Sequence, residues 1–272
     1  MDLQLAGKTA LVTGSSRGTG EGIAKVLARE GAVVIVHGMS PAQGYDDAGR
    51  VAAEIIAAGG QAHAVIGDLT TDDGAEHVAR AALAAAGSVD VLVNNYGTAD
   101  RGYWFDDATG TGAWISMYQK NVLSAARMIR LIVPQMKARN WGRIIQIGTI
   151  GSNQPNARMP HYYASKGALA NLTISLMLEL AGTGITVNTI SPGLIKTREV
   201  EAMYRKRALE RGWGDEWEVI QRHIMEEFNN PTGRIASTEE VGDLVAFIAG
   251  TRSAMINGMN IRIDGGGMRL VG

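Results

Sequence analysis

The sequence predicts an α/β fold: a doubly wound, mostly parallel sheet of seven strands with helices on both faces. Short apolar runs rich in β-branched residues alternate with longer helical patterns from the N-terminus onward. The runs are continuously apolar, as strands covered on both faces are. Their alternation with helices calls for βαβ crossovers, which put helices on either side of an open sheet.

The strands are expected at 9–13, 32–37, 62–66, 89–94, 143–147, 186–190 and 260–263, and the helices at 18–30, 46–58, 72–86, 112–139, 162–181 and 238–249. In such a sheet ligands bind at the carboxyl ends of the strands, so motifs that follow strands carry the most weight. Neither an internal repeat nor a linker interrupts the pattern, and 1–272 reads as a single domain. The stretch 198–230 breaks the rhythm, being charged, Trp-containing and helical. Connections of that length are commonly lids or binding loops, and a mobile substrate lid is expected there. Trp217, Ile220, Ile224 and Phe228 fall at helical steps and form its expected apolar face, which favours a substrate with apolar surface.

With 272 residues, 46% of them hydrophobic and 19% charged, the chain has enough apolar material for one large core. A formal net charge of −1 gives no pull towards nucleic acid or anionic lipid. The absence of cysteine removes disulfides, thiolate nucleophiles and cysteine-based zinc sites, and the five histidines are scattered, so no metal is expected. There is no run of apolar residues long enough for a membrane span and no basic-then-apolar start, so a cytoplasmic enzyme is expected.

Directly after the first strand, Thr13-Gly14-Ser15-Ser16-Arg17-Gly18-Thr19-Gly20 opens into a helix. Glycines there allow a tight turn and close backbone approach, and the helix N-terminus favours the negative charge of a pyrophosphate. The strand, the turn and the helix come in the order a Rossmann-like dinucleotide site requires.

On these residues the chain resembles the short-chain dehydrogenase/reductase family, in its compact single-domain branch. Further landmarks are Asp68, the segment Asn94-Asn95-Tyr96-Gly97 with Tyr where the family has Ala, the segment Ser191-Pro192-Gly193 through Thr197, and the closing Asp264-Gly265-Gly266. The resemblance spans roughly residues 5 to 267. It implies cofactor contacts along Gly14, Ser16, Arg17, Gly18, Thr19 and Gly20, at Gly38 and Ser40, at Asp68 and Leu69, and at Asn95, Tyr96 and Gly97. It also implies contacts at Pro192, Gly193, Ile195 and Thr197, and at Tyr162 and Lys166. The second strand ends Val36-His37-Gly38-Met39-Ser40, with no acid before Asp46 to claim the ribose hydroxyls of NAD(H). Arg17 and Ser40 suit a 2′-phosphate, which favours NADP(H) and leaves NAD(H) open.

In Tyr162-Tyr163-Ala164-Ser165-Lys166, Tyr162 and Lys166 stand four apart and share a helical face. The resemblance identifies them as the catalytic pair. A carbonyl receiving hydride needs a proton donor beside its oxygen. A neighbouring ammonium is expected to lower the phenol's pKa by roughly one to three units. Tyr163 is the decoy by spacing, since its four-on partner is Gly167. Thirteen residues before Tyr162, where the family has serine, stands Thr149, whose hydroxyl offers the same donor and acceptor; Ser152 is a rival out of register. Asn121 matches the family's helix-embedded asparagine, which supports a water-linked relay to the lysine.

Tyr103-Trp104-Phe105 fits either a cleft wall or a subunit interface, His37 the border of an adenosine pocket, and Arg205-Lys206-Arg207 a solvated helix face. The expected activity is interconversion of a ketone or aldehyde and an alcohol, with small-molecule partners and a homo-oligomer, dimer or tetramer, as in relatives. A cofactor-binding homologue of weak activity with a regulatory or structural role is the alternative, kept open by Thr149 and Tyr96; a non-redox enzyme is disfavoured by the intact loop.

If Arg17 reads a 2′-phosphate, Arg17→Ala weakens NADP(H) binding by about tenfold or more and leaves NAD(H) binding nearly unchanged. Equal losses for both cofactors, measured by fluorescence titration, would exclude that role.

Overall fold

A computed structural model describes residues 1–41, 47–228 and 230–269. Seven strands form one sheet in the order β3-β2-β1-β4-β5-β6-β7, and every adjacent pair is parallel. They are β1 (Thr9–Val12), β2 (Val33–Gly38), β3 (Gln61–Ile66), β4 (Val91–Asn94), β5 (Gly142–Ile147), β6 (Ile185–Pro192) and β7 (Asn260–Ile263). The expected sheet is present, and it is wholly parallel among these strands. Its order reverses between β1 and β4, so a crevice opens at their carboxyl ends.

The helices are α1 (Gly18–Arg29), α2 (Ala48–Ala57), α3 (Asp72–Ala86), α4 (Thr111–Tyr118), α5 (Ser124–Ala138), α6 (Pro160–Glu179), α7 (Arg198–Arg211), α8 (Trp217–Phe228) and α9 (Thr238–Ala249). A π-helical segment, Gln119–Leu123, joins α4 to α5, so the helix expected at 112–139 is continuous but widened by one residue per turn at its centre. The expected start of the second helix, Asp46, lies outside the described residues, as does Asn229 of the 198–230 segment.

Side chains alternate across the sheet as strand geometry demands. Ala10, Val12, Val93 and Ile145 pack under α1, α2 and α9, whereas Leu11, Leu92 and Ile144 pack under α3 and α5. At the opposite end from the crevice, Asp90 ties β1 to β4 by accepting from the Thr9 N–H at 2.9 Å while Arg139 holds its other oxygen at 2.8 Å.

The 198–230 segment forms a third, smaller core. Ile220, Ile224 and Met225 of α8 are buried against Tyr204 and Ala208 of α7 and against Ile235. Of the expected apolar face, Trp217, Ile220 and Ile224 join this core, whereas Phe228 is 47% exposed and Met225 is buried in its place.

Helices α1 and α9 meet through glycines. A side-chain carbon on Gly242 would stand 2.7 Å from Cγ2 of Val26. Gly242→Ala is expected to destabilise the protein by about 1–3 kcal/mol through overpacking, read as a lower urea midpoint with an unchanged slope.

Candidate active site

The glycine loop is shaped by backbone conformation at Gly14 and Gly18 and by close contacts at Gly14 and Gly20. Gly14 and Gly18 have φ of +62° and +59°, a conformation natural to glycine alone. A side-chain carbon on Gly20 would lie 2.4 Å from the Gly14 carbonyl and 2.5 Å from Nδ2 of Asn95. That Asn95 amide donates to the carbonyls of Thr13 and Gly14, both at 2.9 Å. The Thr13 hydroxyl accepts the N–H groups of Asn95 and Tyr96, each at 3.0 Å. The loop after β1 is thus bonded to the segment after β4, and these glycines make a cradle fit for a dinucleotide's pyrophosphate.

His37 is the residue whose role the sequence did not reveal. It is fully buried and borders no open pocket. Its Nδ1 accepts the Gly14 N–H at 3.0 Å, and its Nε2 bonds the Gly67 carbonyl at 2.9 Å. One neutral tautomer, with the proton on Nε2, satisfies both bonds. Burial is the chief force that pushes its pKa down to about 4. The Ser15 hydroxyl completes the knot, donating to the Val12 carbonyl at 2.7 Å and accepting the His37 N–H at 3.0 Å.

The other expected cofactor residues gather at the same edge. Gly38 is buried, and a side-chain carbon there would meet Cδ1 of Ile66 at 3.1 Å and Cβ of Ala48 at 3.3 Å, so this position presents backbone. Ser40 is exposed, and Ser16 and Thr19 are partly so. Arg17 is half exposed and pairs with Glu199 at 3.4 Å. Arg50, which the sequence did not single out, donates to the Ser16 carbonyl at 3.2 Å and to Glu21 at 3.0 Å. The Asp68 carboxylate accepts from the N–H and hydroxyl of Thr70 at 2.8 and 2.7 Å. The Leu69 side chain is in the core, leaving only its backbone for a ligand. Burial first, and Asp68 second, push the half-buried Tyr96 phenol up.

At the far side, Gly193 packs against Asp264, to whose Cα a side-chain carbon would come within 3.1 Å, and its N–H donates to the Ile263 carbonyl at 2.9 Å. Pro192 closes β6, Ile195 bridges to Ala236, and Thr197 caps α7 by accepting the Val200 N–H at 3.3 Å. Thr197 faces the loop, its Cγ2 lying 3.6 Å from a side-chain carbon built on Gly18.

Tyr162 and Lys166 stand on the first turns of α6. The Lys166 ammonium is buried and donates to the Ile147 carbonyl at 2.8 Å, and desolvation lowers its pKa to about 8. Burial drives the Tyr162 phenol up to about 12, partly offset by a hydrogen bond with the Thr149 side chain. The expected lowering of the phenol by the lysine is absent from this structure; desolvation dominates and favours the neutral form of both groups. Ser152 is no rival to Thr149, because its hydroxyl donates to the Thr149 carbonyl at 2.7 Å.

Asn121 lies buried in the π segment. Its Oδ1 accepts the Thr98 N–H, and its Nδ2 donates to the Thr98 carbonyl, both at 3.0 Å, and to the Ser165 hydroxyl at 3.1 Å. Ser165 thereby links Asn121 to α6, a contact the sequence did not flag. Gly97 sits in the angle between them: a side-chain carbon there would be 2.2 Å from Oδ1 of Asn121 and 3.2 Å from Nζ of Lys166. Ahead of α6, Met159 holds φ +60°, costly for a side-chain-bearing residue, and its N–H is anchored on the Gly102 carbonyl at 2.8 Å. His161 is buried against Trp114, their ring centroids 6.0 Å apart.

The family model for short chain dehydrogenases matches residues 8–208. An uncharacterized oxidoreductase of Bacillus subtilis is 34% identical, with all of both chains covered. The D-beta-hydroxybutyrate dehydrogenase of Cupriavidus necator is also 34% identical, over 96% of this chain and 98% of its own. The crystal structure of L-sorbose reductase from Gluconobacter frateurii, complexed with NADPH and L-sorbose, superimposes with a TM-score of 0.91 at 29% identity over the full length of both chains. The chain belongs to the short-chain dehydrogenase family and is an NAD(P)-dependent oxidoreductase. Among the described residues no helix is long and apolar enough to cross a membrane.

His37 gives the fold a pH dependence. Its folded pKa lies below the unfolded value, so the unfolded chain binds the extra proton between them. Its contribution is complete above about pH 6.5 and falls by about 3 kcal/mol as the pH drops to about 4. His37→Asn, which keeps an acceptor for Gly14 without a titrating ring, should flatten urea-measured stability across that window.

Proposed function

We propose that the protein interconverts a ketone or aldehyde and an alcohol with NADP(H), Tyr162 serving as general acid and base. The buried Tyr162 phenol, on which the Thr149 side chain acts, shares the first turns of α6 with the buried Lys166, and this arrangement carries the reading. Two hydroxyls converging on one point can grip a substrate oxygen from two sides. Nicotinamide dinucleotide, when bound, supplies or takes up the hydride at the substrate carbon. Gly14, Gly18, Gly20, Asn95 and Thr197 would hold it, and Lys166 would reach its ribose.

With its pKa at about 12, the Tyr162 phenol keeps its proton throughout the neutral range and can hand it to an oxygen gaining negative charge. That supports the reductive direction. In the reverse direction the phenol must first give up its proton, which its burial opposes. Asn121 and Ser165 hold the α6 turn in register with the π segment. The preference for NADP(H) rests on Arg17 at the loop and on Gly38, where no acid ends β2.

We also take the groove between α5 and α6, lined by Ala126, Ile129, Arg130 and Leu172, as the face of a homo-oligomer, a dimer or a tetramer. Leu123 and Leu178 beside it are exposed at 39% and 65%, apolar surface that a second copy would bury.

Tyr162→Phe is expected to cost at least about a hundredfold in turnover while cofactor binding survives. Thr149→Ser should keep activity and Thr149→Val should lose it, since valine preserves the shape and removes only the hydroxyl. Steady-state kinetics on a panel of carbonyls and alcohols measures both, and near-normal turnover by the Tyr162→Phe enzyme would refute the mechanism.

A further inference from the structure

Arg158 stands four residues ahead of Tyr162, in the exposed turn that leads into α6. Its Nε donates to the Tyr103 hydroxyl at 3.0 Å. Among the described residues that phenol is its guanidinium's hydrogen-bond partner, and no carboxylate lies within ion-pairing distance. A neutral hydroxyl satisfies one of five N–H donors and none of the charge.

The acids nearby are already engaged. Glu227, whose field reaches Arg158, holds Arg207 at 2.7 Å and Arg211 at 3.4 Å. Asp106 accepts the Tyr103 N–H at 2.7 Å. A second guanidinium on this rim, Arg101, donates to a thioether, Sδ of Met203, at 2.8 Å. Arg101, Arg207 and Glu227 all act on the Tyr204 phenol, which places Arg101 near the α7–α8 pair.

Tyr163 connects this rim to the reacting phenol. Its ring centroid is 5.5 Å from that of Tyr162, its face packs over Gly151, and its hydroxyl accepts from Nδ2 of Asn156 at 3.1 Å. Asn156 in turn holds the Arg158 N–H at 2.9 Å. A ring contact thus joins Tyr162 to Tyr163, and hydrogen bonds continue from Tyr163 through Asn156 to the Arg158 backbone.

We propose that Arg158, with Tyr163 and Asn156, forms a subsite for an anionic oxygen group, so that the substrate is a keto or hydroxy compound bearing a carboxylate or phosphate. The planar guanidinium fork matches two oxygens of such a group. The inference rests on the oxidoreductase reading above and names the substrate class for that site. It replaces the apolar substrate suggested by 198–230, where Tyr204, Ala208, Ile220, Ile224 and Met225 are taken up by a core of their own.

The test compares pairs that differ only in charge: short oxo acids against their methyl esters, and dihydroxyacetone phosphate against dihydroxyacetone, with NADPH as reductant. The unmodified enzyme should prefer the charged member of one pair by at least about tenfold in kcat/KM, and the pair identifies carboxylate or phosphate. Arg158→Gln should raise KM for that charged member at least about tenfold more than for its neutral partner, and Arg158→Lys should recover part of the loss. Preference for the neutral member in both pairs, or equal effects of Arg158→Gln on both members, overturns the subsite. Should no compound turn over, the carbonyl-reduction reading has failed, and calorimetry of the NADPH-loaded protein with the oxo acids and dihydroxyacetone phosphate decides the subsite by itself. Binding that Arg158→Gln abolishes supports it; no binding overturns it.

Discussion

Two parallel strands, β1 and β4, end side by side, and both chains must turn away in the same small volume. Position 20 cannot carry a side chain there: the Gly14 carbonyl and the Asn95 side-chain amide occupy the space it would take. The crossing is held by the Thr13 hydroxyl and the Asn95 side chain, which together satisfy amides and carbonyls that the sheet no longer pairs. From this point the constraint passes along the chain. The segment after Asn95 reaches Gly97, and Gly97 in turn allows Asn121 and Lys166 to approach from two helices. The cofactor cradle and the catalytic corner are therefore parts of one packed path.

Desolvation sets the electrostatics of that corner. Removing Tyr162 and Lys166 from water disfavours the charged form of each, raising the phenol and lowering the ammonium. His37 obeys the same rule at the other end of the loop, where a neutral ring with one donor and one acceptor suits two backbone groups. The site is thus built from groups neutral or readily neutralised in a dry interior, and the Arg101 and Arg158 guanidinium groups stand outside it, bonded to Met203 and Tyr103.

The helical pair α7–α8 shows how the same residues serve different ends according to what they meet. Its apolar side chains close on one another, while its charges face outward in ion pairs such as Arg207 with Glu227 and Arg205 with Glu201. Trp213 is stacked on His223 at 4.8 Å and flanked by Arg207 and Arg211. The pair touches the body of the protein at the glycine loop through Glu199 and Arg17, and near Arg101 through Met203.

The sequence by itself determined the strand–helix alternation, the glycine loop and the pairing of Tyr162 with Lys166. These follow from short-range rules: period two in strands, four-residue steps in helices, and the conformational freedom of glycine. Strand and helix limits were legible to within a residue or two for the same reason. Tertiary structure alone decided which partners the side chains found. That His37 is a neutral knot, that Gly38 lies close against Ile66 and Ala48, that Phe228 is left half exposed and Met225 taken in, and that burial raises the Tyr162 phenol all depend on residues distant in the chain. Such contacts arise from how sheet and helices pack, and no local spacing encodes the depth at which a side chain comes to rest.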